Sequence, residues 1–163
     1  MSDFANLRDG GRQLGAALAA RFAGATDAVL LPALPNGVPV VVGIRELVDL
    51  PVIPLPVDRS GSAVVVLPVP GLSGRTAVVI DDAVETGTVA RAAVRPLRDS
   101  GVARLVLAVP VCPRAVLTDL AGLYDDVVAV VVPETRLSLT EHFADFDTVD
   151  EAEARRLLAS LPA

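Results

Sequence analysis

The sequence predicts an α/β domain with a mostly parallel central sheet and helices on both faces. Three observations lead there. Strand-like and helix-like segments alternate from Ala28 onward, the pattern of parallel strands joined by helical crossovers. The strand candidates are continuous runs rich in Val and Leu, as expected of strands covered on both faces. Apolar residues make up 52% of the 163 positions, enough for a full core without metals or disulfides. The length fits a single domain spanning residues 1–163.

The elements run in order along the chain. Leu7, Leu14, Leu18 and Phe22 recur at helical spacing with Arg8, Arg12 and Arg21 between them, predicting an amphipathic helix from Leu7 to Phe22 that stops at Gly24. Ala28 to Pro32 reads as a short apolar strand, and Pro35-Asn36-Gly37 as a turn. Val38 to Leu47 has the content of helix or strand; its length, the Gly37 entry and the polar end Arg45-Glu46 favour a buried helix. Val52 to Val57 is a strand held between prolines, Asp58 to Ser62 a loop, and Ala63 to Val69 an edge strand crowded by Pro68 and Pro70. Ala77 to Ile80 is a central strand, Gly87 to Ser100 a helix, Leu105 to Val111 a strand, Arg114 to Leu120 a short helix and Val127 to Val132 the last strand. After a polar, aromatic-bearing stretch to Asp147, Thr148 with Glu151 predicts a capping box for a final helix carrying Leu157, Leu158 and Leu161.

Charge and composition exclude several functions. The formal net charge is −6 and no basic run exists, which argues against a nucleic-acid partner. Every basic residue is Arg, so a Walker-type phosphate loop, a pyridoxal-phosphate Schiff base and a protein-kinase strand lysine are all chemically excluded. Cys112 is the only cysteine; it forms no intramolecular disulfide and, within an apolar run, reads as a small core residue rather than a nucleophile. The first residues lack a signal peptide's basic start and apolar stretch, and no apolar run approaches the roughly 20 residues of a membrane helix. The expected compartment is the cytoplasm, with no membrane partner.

The chemistry concentrates after the central strand. Asp81-Asp82 closes it, and Ala83-Val84-Glu85-Thr86-Gly87-Thr88 leads into the next helix. Paired carboxylates at a strand end are destabilising unless hydroxyls or a hydrated metal meet them. The turn from Glu85 to Thr88 presents backbone N–H groups at a helix N-terminus, where an anion is favoured. Gly87 permits close approach, and Thr86 and Thr88 add hydroxyl donors. Acceptors for a diol at one end and a phosphate nest at the other match a ribose 5-phosphate. The plain alternative is that Asp81 and Asp82 are solvated loop residues and Thr86 a helix cap.

At these residues the chain resembles the type I phosphoribosyltransferases, whose signature is an apolar strand, two acidic residues, a short spacer and Thr-Gly-Thr. Val78 through Thr88 matches it throughout. The resemblance extends along most of the chain and is nearest to stand-alone bacterial members of undefined acceptor, with similar features at Leu7 to Leu14, Ala108 to Val111, Phe143 to Phe146 and Val149 to Glu151. It implies the family fold with a small C-terminal hood, and a transfer of 5-phosphoribose from phosphoribosyl pyrophosphate to a nitrogen acceptor, Mg²⁺ arriving with the substrate rather than on protein ligands. It assigns the ribose hydroxyls to Asp81 and Asp82 and the 5-phosphate to Val84, Glu85, Thr86, Gly87 and Thr88. It places the pyrophosphate loop at Leu34, Pro35, Asn36 and Gly37, and suggests a homodimer.

Two departures stand out. The family's pyrophosphate loop usually carries a basic residue and two glycines, where this chain has Pro35-Asn36 and only Gly37. The family's covering loop is short here, with Arg59 its only cation. Arg59 is either a guanidinium aimed at the leaving pyrophosphate or an ordinary loop arginine. Leu137, His142, Phe143 and Phe146 are expected to form a hood over the acceptor, with His142 a surface or satisfied core group rather than a catalyst. The alternative function is a non-catalytic protein that binds phosphoribosyl pyrophosphate or a nucleotide monophosphate.

Overall fold

In the computed structural model, which describes residues 2–135 and 138–162, four parallel strands form the central sheet. They are β1 (Ala28–Pro32), β4 (Thr76–Ile80), β5 (Arg104–Val111) and β6 (Asp126–Val131), hydrogen-bonded in the order β1-β4-β5-β6. Alternate residues point to opposite faces. Leu30, Val78 and Val106 pack one way, against Leu14 and Leu18 of α1 (Leu7–Arg21) and Val40 and Ile44 of α2 (Gly37–Arg45). Val29, Val79 and Leu107 pack the other way, against Ala93 and Leu97 of α3 (Thr88–Asp99) and Leu120 of α4 (Arg114–Ala121). The α/β class with helices on both faces is therefore as the sequence predicts. Cys112 is fully buried, and burial pushes its thiol up to about 11, consistent with an inert core residue. Among the described residues, no helix is long and apolar enough to cross a membrane.

The prolines account for the departures. Residues 52–55 do run parallel to β1, through bridges Leu30 with Val52 and Ala33 with Leu55. Pro51, Pro54 and Pro56 have no N–H to donate, so the predicted Val52-to-Val57 strand is reduced to these bridges. Its last residue instead opens β2 (Val57–Asp58), which pairs antiparallel with β3 (Val65–Val66). The predicted Ala63-to-Val69 strand shrinks to those two residues, since Pro68 and Pro70 stop the ladder. The final helix α5 (Glu151–Ser160) is capped by Asp150, whose Oδ1 accepts from the Glu153 N–H at 2.8 Å, not by Thr148. Thr148 is displaced from that role because Val149 is drawn outward, its N–H donating to Asn36 Oδ1 at 2.9 Å.

Strand order places the crevice. From β1 the chain passes through α2 to the proline segment on one side. From β4 it passes through α3, β5 and α4 to β6 on the other. The connections diverge between β1 and β4, and Pro32 and Ile80, their last residues, lie in register. A crevice therefore opens beyond these two carboxyl ends.

Helices α1 and α2 approach closely through two glycines. A Cβ on Gly11 would stand 2.0 Å from the Val40 carbonyl oxygen, and one on Gly43 2.0 Å from that of Arg8. Backbone cannot rotate aside as a side chain can. Gly43→Ala is expected to destabilise the fold by about 3 kcal/mol, read as a lower urea midpoint with unchanged slope.

Candidate functional site

The cavity at this crevice has a volume of about 210 Å³ and is bounded by Asn36, Arg59 and the loop from Asp81 through Ala90. Distant segments meet here because β4 delivers the carboxylates, β1 the Asn36 turn and the β2–β3 hairpin Arg59. Every residue predicted from the motif reaches the cavity: Asp81, Asp82, Val84, Glu85, Thr86, Gly87 and Thr88 all line it. Of the pyrophosphate-loop candidates only Asn36 does so. Gly37 lies behind the wall, where a Cβ would come within 2.5 Å of the Ile80 carbonyl oxygen. Pro35 also stands outside the lining, following a cis peptide bond with Leu34.

The carboxylates begin where the buried strand ends. Asp81 accepts from the Asp82 N–H at 2.9 Å, and Asp82 from the Ala83 N–H at 2.7 Å, which holds both side chains in a tight turn. Burial raises both above the ordinary carboxylate range, Asp81 well above it. The neighbouring Asp82 charge adds to the rise at Asp81, while the Arg59 guanidinium opposes it at both.

The loop then becomes an anion nest. Gly87 adopts the left-handed conformation at φ 84° and precedes the first turn of α3. Among the described residues, the N–H groups of Glu85, Thr86, Gly87, Thr88 and Val89 meet no protein acceptor. They converge with the hydroxyls of Thr86 and Thr88, 3.0 Å apart, at a helix N-terminus. Val84 needs a correction: its N–H donates to the Val111 carbonyl at 3.0 Å, so it fixes the loop to β5 and is not free for a phosphate. Asn36 likewise spends its Oδ1 on Val149 and so stitches its turn to the segment before α5.

Sequence reasoning missed Tyr124. Its hydroxyl donates to the Ala90 carbonyl at 2.6 Å from a buried position, tying the first turn of α3 to the approach to β6. It is the only tyrosine in an aromatic-poor chain, and that scarcity was the one available signal. The expected hood sits elsewhere. Phe143 packs tilted against Phe4, with ring centroids 5.0 Å apart, and edge-on to Phe146 at 5.2 Å, and His142 Nδ1 pairs with Asp3 Oδ2 at 2.7 Å. None of them lines the cavity, because Phe143 is buried against α1 instead. Leu137 lies outside the described residues.

Comparison with known proteins agrees with this geometry. No family profile matches the chain. Over 82 residues, half of this chain, it is 34% identical to two Mycobacterium tuberculosis proteins named "Putative phosphoribosyl transferase", and it spans 18% of their length. The TT1426 protein of Thermus thermophilus superposes with a TM-score of 0.82 at 22% identity, covering 97% of this chain and 98% of that one. A purine phosphoribosyltransferase of Pyrococcus horikoshii gives 0.55 at 19% identity over 77% and 87%. The orotate phosphoribosyltransferase of M. tuberculosis, solved with phosphoribosyl pyrophosphate, gives 0.51 at 19% over 78% and 75%. The fold is that of the type I phosphoribosyltransferases.

Burial of Asp81 and Asp82 has a signed consequence for stability. With their folded pKa values raised above the unfolded ones, the folded state holds more protons between the two, so stability falls as pH rises through that window. The Asp81→Asn, Asp82→Asn double variant keeps both acceptors and loses the charges. Its melting temperature is expected to exceed the parent's at pH 8, by about 2–4 °C for each kcal/mol gained, and the gap to close near pH 4. Thermal unfolding across that range measures it.

Proposed function

We propose that this chain is a phosphoribosyltransferase domain, residues 1–163, that transfers 5-phosphoribose from phosphoribosyl pyrophosphate to a nitrogen acceptor. The observation that carries the reading is the meeting, in one cavity, of two partly buried carboxylates with a run of unpartnered N–H groups at a helix N-terminus. A ribose 5-phosphate presents the complementary groups. The M. tuberculosis relatives' name and the neighbour solved with phosphoribosyl pyrophosphate support it.

In this reading Asp81 and Asp82 accept hydrogen bonds from the ribose hydroxyls, and Glu85 to Thr88 hold the 5-phosphate through backbone N–H groups and the two threonine hydroxyls. The C1–oxygen bond to pyrophosphate breaks as a C1–nitrogen bond forms, through an oxocarbenium-like transition state. The protein's part is to position the ribose and stabilise charge. Magnesium fits as a component of the substrate complex. Mg²⁺ typically takes one or two carboxylates with water and substrate phosphates, and the cavity supplies carboxylates in Asp81 and Asp82. The ion would neutralise charge on pyrophosphate, and Asp81 and Asp82 are the residues that would hold it if the protein contributed a ligand. A cytoplasmic dimer is the family's usual setting and is proposed on that ground alone.

Titration calorimetry with phosphoribosyl pyrophosphate and Mg²⁺ tests the site. Binding to the parent is expected, with a loss of about 1.5–3 kcal/mol for each carboxylate removed in the Asp81→Asn, Asp82→Asn variant. Equal binding by parent and variant sinks the diol assignment.

Among the described residues, Arg59 is the only basic one lining the cavity. Its Nη1 donates to the Leu34 carbonyl at 2.8 Å, which brings the guanidinium across to the pyrophosphate loop. A charged fork there can stabilise the leaving group. Binding rests on the complete Asp81-to-Thr88 loop, whereas rate rests on interactions that strengthen as pyrophosphate departs. Slow pyrophosphate release is expected in the parent with a panel of purines, pyrimidines and small amines. Arg59→Ala is expected to lower the rate roughly a hundredfold and affinity much less. Binding without release in any acceptor's presence would favour the non-catalytic alternative.

A further inference from the structure

A second cleft, of about 430 Å³, opens at the C-terminal end of α2, lined by the proline segment beside β1 and by helix α5. Pro51, Val52, Pro54 and Leu158 form apolar walls, and Arg45 and Arg155 supply the charge. It shares no lining residue with the crevice beyond β4.

Arg45 is the anomaly. Its side chain is 9% exposed, yet among the described residues its buried Nε has no hydrogen-bond partner. The adjoining Nη2 donates at 2.7 Å to a neutral acceptor, the Pro162 carbonyl. Asp49, 3.8 Å from Nη2, is almost wholly in solvent and offers little. The Nε–Nη2 edge of a guanidinium is a two-donor fork that fits the two oxygens of a carboxylate. Here half of that fork is met and half is not. Arg155 faces the same cleft from α5, engaged to Glu151 at 3.0 Å and more than half exposed.

We propose that this cleft binds a small monocarboxylate with a branched aliphatic body. The carboxylate takes the Nε–Nη2 fork of Arg45 in place of the Pro162 carbonyl. Arg155 attracts it, and the aliphatic part lies on the Pro and Leu walls. The walls carry no aromatic ring on which a nucleobase would stack. Asp49 and Glu151 nearby disfavour a doubly charged phosphate over a single negative charge. The inference stands apart from the phosphoribosyl reading, since it uses none of that site's residues. It does place an occupant one helix away from that site, because Ala154 of α5 packs on Leu34 and Val38.

The test is nuclear magnetic resonance of the full, ¹⁵N-labelled chain, observing arginine Nε–H groups. The probes are 4-methylpentanoate and, as a control, inorganic phosphate at equal ionic strength. The carboxylate is expected to shift the Arg45 Nε–H resonance saturably and phosphate not to. Arg45→Lys keeps the charge and removes the fork, and is expected to weaken binding at least tenfold. Arg155→Ala, on an exposed helix face, is expected to weaken it several-fold while leaving the melting temperature unchanged. An Arg45 Nε–H signal unmoved by the carboxylate overturns the proposal and leaves Arg45 as a clamp on Pro162. So does an equal response to phosphate, or binding unaffected by Arg155→Ala, the variant that guards against misfolding of the first.

Discussion

Strand β4 lies between β1 and β5 with all five of its residues buried, and it ends in two carboxylates. That placement governs the electrostatics of the whole crevice. A carboxylate leaving a covered strand is only partly hydrated, so its charged form is penalised and its pKa rises. The chain offsets part of this locally, with the Asp82 and Ala83 N–H groups and the Arg59 charge. What remains is an unfavourable interaction that a ligand's hydroxyls relieve. The folded protein is thus less stable near neutral pH than it would be with amides there, and the deficit becomes affinity when a matching diol arrives.

The anion nest depends on the same strand but is held by different contacts. Its N–H groups stay unpartnered only if the loop neither collapses nor winds into an extra helical turn. Val84 prevents the first by donating to Val111, and the positive φ of Gly87 prevents the second. Arg91 Nε reaches back to the Thr86 carbonyl at 3.2 Å, and Tyr124 fixes Ala90 from below. Loop and helix are therefore positioned by β5, α4 and the turn before β6 together. Removing any one of these contacts would loosen the loop that lines the cavity.

Legibility in the sequence tracked how local the physics is. The central strand, read as Ala77 to Ile80 and found from Thr76, the carboxylate pair and the Thr-Gly-Thr turn are contiguous, so their local structure could be read directly. Arg59 and Asn36 were placed at the cavity through family resemblance, and they do line it. Elsewhere, long-range pairings decided the outcome. Val84 looked like a phosphate ligand because its partner, Val111, is remote in sequence. Thr148 looked like a cap because Asn36's hold on Val149 could not be seen. Phe143 looked like a hood, although Phe4 and α1 claim it for the core. The glycines at 11 and 43 were visible, but their purpose lies in a close helix contact defined only by the fold.

Charge balance sets the limit on the chemistry. Among the described residues, the cavity gathers Asp81, Asp82 and Glu85 against a single guanidinium, Arg59, and that guanidinium already donates one hydrogen bond to the Leu34 carbonyl. A bare pyrophosphate would meet net repulsion here at ordinary distances. In the proposed reading a 5-phosphate would escape it, because its partners would be backbone dipoles and hydroxyls at the far end of the loop. The two ends of the ligand therefore face different requirements: one is satisfied by neutral donors that the chain supplies, the other by positive charge that it largely lacks. A cation carried in with the pyrophosphate would meet that second requirement and, like Arg59, oppose the rise that burial causes at Asp81 and Asp82. In the proposed reading, binding of the ribose phosphate would then rest on the loop from Asp81 to Thr88, while departure of the leaving group would depend on how much charge the substrate complex and Arg59 provide between them.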